Sequence, residues 1–330
     1  MKQRIERAMQ RLAAQSPTTA DGATPPWEAA DIAQDSGENQ RVTKGLSRRR
    51  VLVGAGLAVV AVGGAGLLAT QVIGTSTAVA ATPPLLAFQP VAQQTDARSL
   101  LGDLSVRAAG QPAPPGRGPV FYSQSRSWSF TAVQGTGGED LGSLLAERLS
   151  EVWVRPDGTG RGVSREQNLP PGATPMTDDR PFDKTPWPDT LTDHGGLVDW
   201  FTRAGQQHDA AWFLTEAVHT WPVWLNKPAV TSAFLEVLST RPGLAVEGRT
   251  TDRAGRPAIA VSAVLTDSGS FPTQRAYLLI DPETGVLRAV EYVALSVDTA
   301  QLHTTVRTPA TVRYHLWLAS AFVADTSSRP

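Results

Sequence analysis

The apolar positions of this chain follow three rules in succession. Residues 51–69 are nineteen consecutive Val, Leu, Gly and Ala, prolonged by Val72 and Ile73, without periodicity or charge. A helix of about 20 residues crosses a hydrocarbon core of roughly 30 Å. The stretch therefore predicts one transmembrane helix, which with its basic flank occupies residues 47–73. From residue 96 the spacing turns helical: Leu100, Leu101, Leu104 and Ala108 share one face. From residue 119 the period becomes two. Val120, Tyr122, Trp128, Phe130 and Ala132 take even positions, and Ser123, Ser125, Ser127, Ser129 and Thr131 take odd ones. That alternation predicts a long half-buried strand with its aromatics inward and its serines in solvent.

Strands are then predicted near residues 150–155 and 161–166, joined through Pro156-Asp157-Gly158, where Pro fixes φ and Gly accepts a positive one. Residues 168–193 hold six prolines and are predicted to be loop. Three helical patterns follow, on Leu197, Val198 and Phe201, on Phe213, Leu214, Ala217, Val218 and Trp221, and on Val230, Phe234, Val237 and Leu238. The remainder predicts strands at 244–251, 258–266, 275–281, 286–297 and 310–324. Strands that follow one another through tight turns are antiparallel, since a parallel crossover needs roughly a dozen residues or more. The expected fold class is α+β: an antiparallel sheet with helices packed on one face, over residues 96–330.

Charge sets the orientation. Arg41, Lys44, Arg48, Arg49 and Arg50 precede the span, and no charged residue follows it before Asp96. The positive-inside rule places the N-terminus in the cytoplasm and the large C-terminal part outside. Residues 1–46 are rich in Pro, Gly and polar residues and cannot bury enough surface to offset ordering entropy, so a mostly disordered tail is expected. Residues 74–95 are rich in Thr, Ala and Pro and read as an extended stalk. Arg48 and Arg49 resemble a twin-arginine export signal, and Ala78 and Ala80, ahead of Ala81, have the spacing of a signal-peptidase site. A retained anchor and a cleaved, exported product are both open on this reading.

A net charge of −1 argues against a nucleic-acid binder, and the absence of cysteine removes disulfides, thiolate metal sites and thiol catalysis. The five histidines stand apart in sequence, and His-Asp neighbours such as Asp193-His194 and His208-Asp209 diverge on a helix or a strand. Gly135-Thr136-Gly137-Gly138 lacks the lysine of a phosphate loop, and Asp178-Asp179 carries no ligand spacing. No catalytic, cofactor-binding or metal residues are therefore assigned. The tryptophans between 187 and 224 are consistent with carbohydrate or interface binding, or, as helical spacing suggests for Trp212 and Trp221, with core positions.

The segment Arg275-Ala276-Tyr277-Leu278-Leu279-Ile280-Asp281-Pro282-Glu283-Thr284-Gly285-Val286-Leu287 resembles the final hairpins of the half-barrel fold of periplasmic lipoprotein carriers and of periplasmic regulators of anti-sigma factors. With residues 122–130, Glu151-Val152-Trp153-Val154, Asp157-Gly158, Pro242-Gly243-Leu244 and residues 252–256, the layout is similar to an uncharacterised actinobacterial family of single-span membrane proteins. The resemblance implies a curved antiparallel sheet wrapped around a helix, with an apolar cavity for acyl chains. Tyr122, Trp128 and Phe130 would then line a cavity; otherwise they fill a closed core. The resulting expectation is a non-enzymatic, membrane-anchored envelope protein that senses or binds a ligand or partner, an envelope protein or a lipid, with a resemblance-based link to sigma-factor signalling. The alternative is an exported carrier of a lipid or other apolar ligand.

Overall fold

The computed structural model describes residues 82–91, 96–134, 140–144, 147–169, 175–182, 193–206, 208–222, 226–266, 269–302 and 305–330, with the side chains of 131–134 and 140–144 left undescribed. The tail, the basic flank with Arg48 and Arg49, the apolar span, and Ala78 and Ala80 lie outside them. Among the described residues no helix is long and apolar enough to cross a membrane.

Helix α1 (Ala97–Ala109) precedes strands β1 (Val120–Ser129), β2 (Thr131–Gln134), β3 (Asp140–Leu144), β4 (Glu147–Val154), β5 (Gly160–Gln167) and β6 (Thr177–Phe182). Helices α2 (His194–Ala204), α3 (Ala210–Thr220) and α4 (Pro228–Ser239) follow. Then come β7 (Ala245–Thr251), β8 (Pro257–Thr266), β9 (Thr273–Ile280), β10 (Leu287–Ala294), the short α5 (Thr299–Leu302) and β11 (Ala310–Val323). Nine strands form one curved antiparallel sheet in the order β6-β5-β4-β1-β11-β10-β9-β8-β7, and β2 and β3 pair separately. The α+β class and the antiparallel pairing match the sequence expectation. Three described elements were not expected: β3, the short α5, and edge strand β6 at residues 177–182, where Pro181 and five further prolines had marked the region as loop. A proline is tolerated at a sheet edge, where its missing N–H costs no ladder bond.

Local chemistry starts the helices. Asp96, Asp193 and Asp209 each cap a first turn, accepting from Ser99 N (2.9 Å), Gly196 N (2.8 Å) and Trp212 N (3.0 Å). Two of the His-Asp neighbours noted in the sequence are thus cap residues. Helix α4 opens instead on Pro228.

The helices bury one face of the sheet. Phe213, Leu214 and Ala217 of α3 and Phe234, Leu235 and Leu238 of α4 join one core with Val261, Leu278, Ile280, Val290 and Trp317. Helix α1 packs on α4 and also reaches the turn before β10, where a Cβ on Gly285 (φ +71°) would lie 2.2 Å from the Leu104 carbonyl oxygen. Only glycine fits there.

Two bulges shape β11. Its register slips against β10 at Val312 and against β1 at Leu318. Val312, Trp317 and Phe322, five residues apart, consequently all pack against the helix-side core. In an unbroken strand each odd step would send the next side chain to the other face.

The opposite face is covered as well. Residues 82–91, read from sequence as part of a stalk, form a strap across it. Gln89 exchanges two backbone hydrogen bonds with Arg249 on edge strand β7, both 2.8 Å, and Phe88 stacks on Tyr277 at 5.1 Å. The Pro84 carbonyl accepts from Arg253 (2.9 Å), whose guanidinium also pairs with the fully buried Glu291 at 2.7 Å.

Candidate functional site

Tyr122 is not brought together with Trp128, whereas Phe130 packs against the Trp128 cluster as well as against the helix-side core. Tyr122 packs with Trp153 and Val163, and Trp128 with Tyr277, Tyr314 and Leu316, in two separate clusters on the strap-covered face. Phe130, beyond the end of β1, stands edge-on to Phe271 at 5.6 Å. The expected solvated serine face is corrected too. Ser123 and Ser125 are buried, and the Ser123 hydroxyl donates to the Pro222 carbonyl at the end of α3 (2.7 Å). Because helices take the odd positions of β1 and the strap and residues 324–330 take the even ones, alternation alone could not say which face was which.

The serine side opens a different site. Strand register sets it in rows across β1, β11 and β10: Ser129, Arg313 and Tyr292; Ser127, His315 and Val290; then Ser125 and Trp317. The bulge at Val312 turns Arg313 to this side, and the one at Leu318 follows Trp317, whose carbonyl is held by Arg256 Nη1 at 2.8 Å. The end of α3 contributes His219 and Trp221. Trp221 lies parallel to Trp317, with ring centroids 5.4 Å apart and planes 12° apart.

The electrostatics are one-sided. Burial, reinforced by Arg313, pushes His219 down to about 4. Burial, then His219 and Arg313, push His315 down to about 3. Both imidazoles are neutral at pH 7. Each imidazole is partly buried and keeps some of its surface accessible. Arg313 lies exposed at the mouth, 4.0 Å from the Tyr292 ring centroid, and meets no carboxylate among the described residues.

Three donors on this side of the sheet are buried and have no hydrogen-bond partner among the described residues: Trp221 Nε1, Trp317 Nε1 and the Tyr292 hydroxyl. An unpartnered buried polar group costs roughly 1–3 kcal/mol, so an oxygen acceptor brought by a ligand would be stabilising here. No hydrogen bond joins Ser127 to His315 among the described residues.

The other sequence candidates resolve into ordinary structure. Asp179 forms a two-pronged pair with Arg161 (2.8 and 2.6 Å), whereas Asp178 meets Arg180 at 3.3 Å. Neighbouring positions on strand β6 keep the two acids apart. No cluster of three metal-ligating side chains occurs among the described residues. Trp200 and Trp212 line a shallow crevice with Phe201, Phe213 and Phe234, where His208 stacks on Trp212 at 4.2 Å. Residues 135–138 are outside the described set.

Sequence reasoning passed over Tyr292, His219, His315 and Arg313. The one local signal was the period-two run Arg313, His315, Trp317 in the last strand, which puts a cation, an imidazole and an indole on one side.

No family model matches the chain, and no curated protein matches it. The single-span membrane family named from sequence thus rests on the residues quoted for it. Among solved structures the chain is similar to a DUF1329 family protein from Desulfovibrio piger, with 11% identity over 69% of this chain and 94% of that one and a TM-score of 0.21. It is also similar to the dehydratase domain from the CurK module of curacin polyketide synthase, with 9% identity over 62% of this chain and 76% of that one and a TM-score of 0.12. Likenesses at this level carry no argument about ligand or activity. Nothing in them points to sigma-factor signalling.

Proposed function

We propose that this chain is a non-enzymatic envelope protein, anchored by residues 51–73 with its N-terminus in the cytoplasm. Its outer folded part binds an amphipathic ligand whose oxygen-bearing head group sits in the recess between α3 and strands β1, β11 and β10. One observation carries this reading: the buried donors of Trp221, Trp317 and Tyr292, unpartnered among the described residues, lie on the helix side of the sheet with Arg313, which meets no carboxylate among those residues. A closed structural core would have left such groups paired or replaced them with apolar ones. The indole faces and Val290 offer apolar contact below the head group.

Native mass spectrometry of residues 82–330, which hold every described element, tests the binding. A stoichiometric small molecule is expected on the wild-type domain and absent from a Tyr292→Phe, Arg313→Gln double variant. A domain that is empty when freshly purified from its own host defeats the proposal. Membrane fractionation of the full chain tests the anchor separately.

The exported-carrier reading keeps one observation in its favour. Ala78 and Ala80, ahead of Ala81, have the small-residue spacing of a signal-peptidase site. N-terminal sequencing of the mature protein decides between the two.

A further inference from the structure

Residues 324–330 leave β11 through a turn in which Asp325 Oδ1 accepts from Ser327 N (2.8 Å) and Ser328 N (2.9 Å). The segment then lies on the strap-covered face, over a pocket that the sheet builds by itself. Tyr122 and Trp153 are cross-strand neighbours with ring centroids 5.3 Å apart, and the Tyr122 hydroxyl donates to Glu151 Oε1 at 2.9 Å. All three side chains are buried, Glu151 at 3% exposure. A carboxylate that deep in a sheet demands a cation.

The cation comes from outside the sheet. Arg329 grips Glu151 with both prongs, Nε to Oε1 at 2.5 Å and Nη2 to Oε2 at 2.8 Å. Its guanidinium carbon stands 5.5 Å from the Trp153 ring centroid, and the Trp153 indole N–H donates to the Ser328 carbonyl at 2.7 Å. A fork on a carboxylate beside an aromatic face is the geometry that distinguishes guanidinium from ammonium.

The two halves of this contact differ in kind. The receiving groups sit on adjacent strands β1 and β4, whereas the Arg329 side chain is 47% exposed on a short segment. Arg161, near the same indole, is committed to Asp179. Arg165 Nη2, 4.0 Å from Glu151 Oε2, leaves the carboxylate a partial countercharge when Arg329 departs. We propose that Tyr122, Glu151 and Trp153 form a recognition site for an arginine-bearing segment of a partner protein. In the resting chain, residues 324–330 fill it.

The test uses the full chain and a labelled heptapeptide, Ala-Asp-Thr-Ser-Ser-Arg-Pro, copied from residues 324–330. The wild-type chain should bind it weakly, since its own segment competes. Arg329→Ala should bind it at least tenfold more tightly, adding Glu151→Gln should abolish the gain, and a peptide with Ala in place of Arg should not bind. An Arg329→Ala chain that keeps its unfolding midpoint yet binds no better than wild type overturns the proposal. Should that variant fail to fold, the unmodified chain still answers. Millimolar peptide should displace the chain's own residues 324–330, seen as faster hydrogen exchange of that segment's backbone amides, and unchanged exchange overturns the proposal.

Discussion

Replacing Arg253 by alanine removes the residue that ties the strap to the sheet. Its Nη2 donates to Glu291 Oε2 (2.7 Å), to Thr311 Oγ1 (3.2 Å) and to the Pro84 carbonyl (2.9 Å), and its guanidinium lies over the Tyr314 ring. Glu291 has no exposed surface, and its Oε1 already lacks a partner, so Arg253→Ala leaves a buried carboxylate without a cation. Breaking such a pair costs about 3–5 kcal/mol, and the lost strap contact adds about 1 kcal/mol. That is a large part of the roughly 5–15 kcal/mol that stabilises a domain. The loss also depends on pH. Burial already raises Glu291 above its ordinary value against the pull of Arg253, and removing Arg253 raises it further. The folded variant then holds a proton that the unfolded chain releases, so its deficit relative to wild type grows as pH rises and shrinks toward pH 5. Urea unfolding of residues 82–330 at pH 5 and pH 8, followed by tryptophan fluorescence, measures both effects. The Arg253→Met, Glu291→Leu double variant should recover most of the stability because no buried charge remains. A single-variant loss below 1 kcal/mol, or a double variant as unstable as the sum of its parts, would refute the reasoning.

Three further outcomes are expected. His219 and His315 stay neutral in the folded state, and their folded values, about 4 and about 3, lie below the ordinary 6.5. The stability this confers is complete above pH 6.5 and is lost as pH falls from there toward 4, by up to about 3 kcal/mol for His219. His219→Gln should flatten that part of the stability–pH curve, and an unchanged slope would contradict the assignment. Deleting Leu318 removes a bulge yet leaves Trp317 and Phe322 four positions apart, an even step that keeps both on the helix side, so the deletion should retain one cooperative transition in calorimetry, and loss of cooperativity would contradict the bulge assignment. Gly248, at φ +121°, has the Gln89 carbonyl oxygen 2.2 Å from where a Cβ would stand. Gly248→Val should lift the strap and expose the edge of β7, seen as faster exchange of the Gln89 and Arg249 amides and as aggregation in light scattering.

Periodicity and turn chemistry carry most of the fold in the sequence itself. The three helical patterns at residues 197–238 and the strands from 244 onward emerge where their apolar spacing placed them, because local caps, prolines and alternation are set by near neighbours. Asp193 and Asp209 were visible too, as chain neighbours of histidines, although their work is to cap helices. Strand β6 was hidden by Pro181, which an edge position tolerates, and by the prolines on either side of it. The recess was not legible. Alternation divides β1 into a serine side and an aromatic side, but only docking decided that the helices cover the serines while the strap and residues 324–330 cover Tyr122 and Trp128. His219 and His315 lie 96 positions apart in the chain and meet because α3 folds back onto the central strands. Alternation alone puts Arg313, His315 and Trp317 on one side, and bulges at Val312 and Leu318, which no periodicity announces, let Val312 and Phe322 share it. Register and packing between distant segments fix such a site, since the chemistry of each residue says only what it could hold, and the sheet decides what it holds it with.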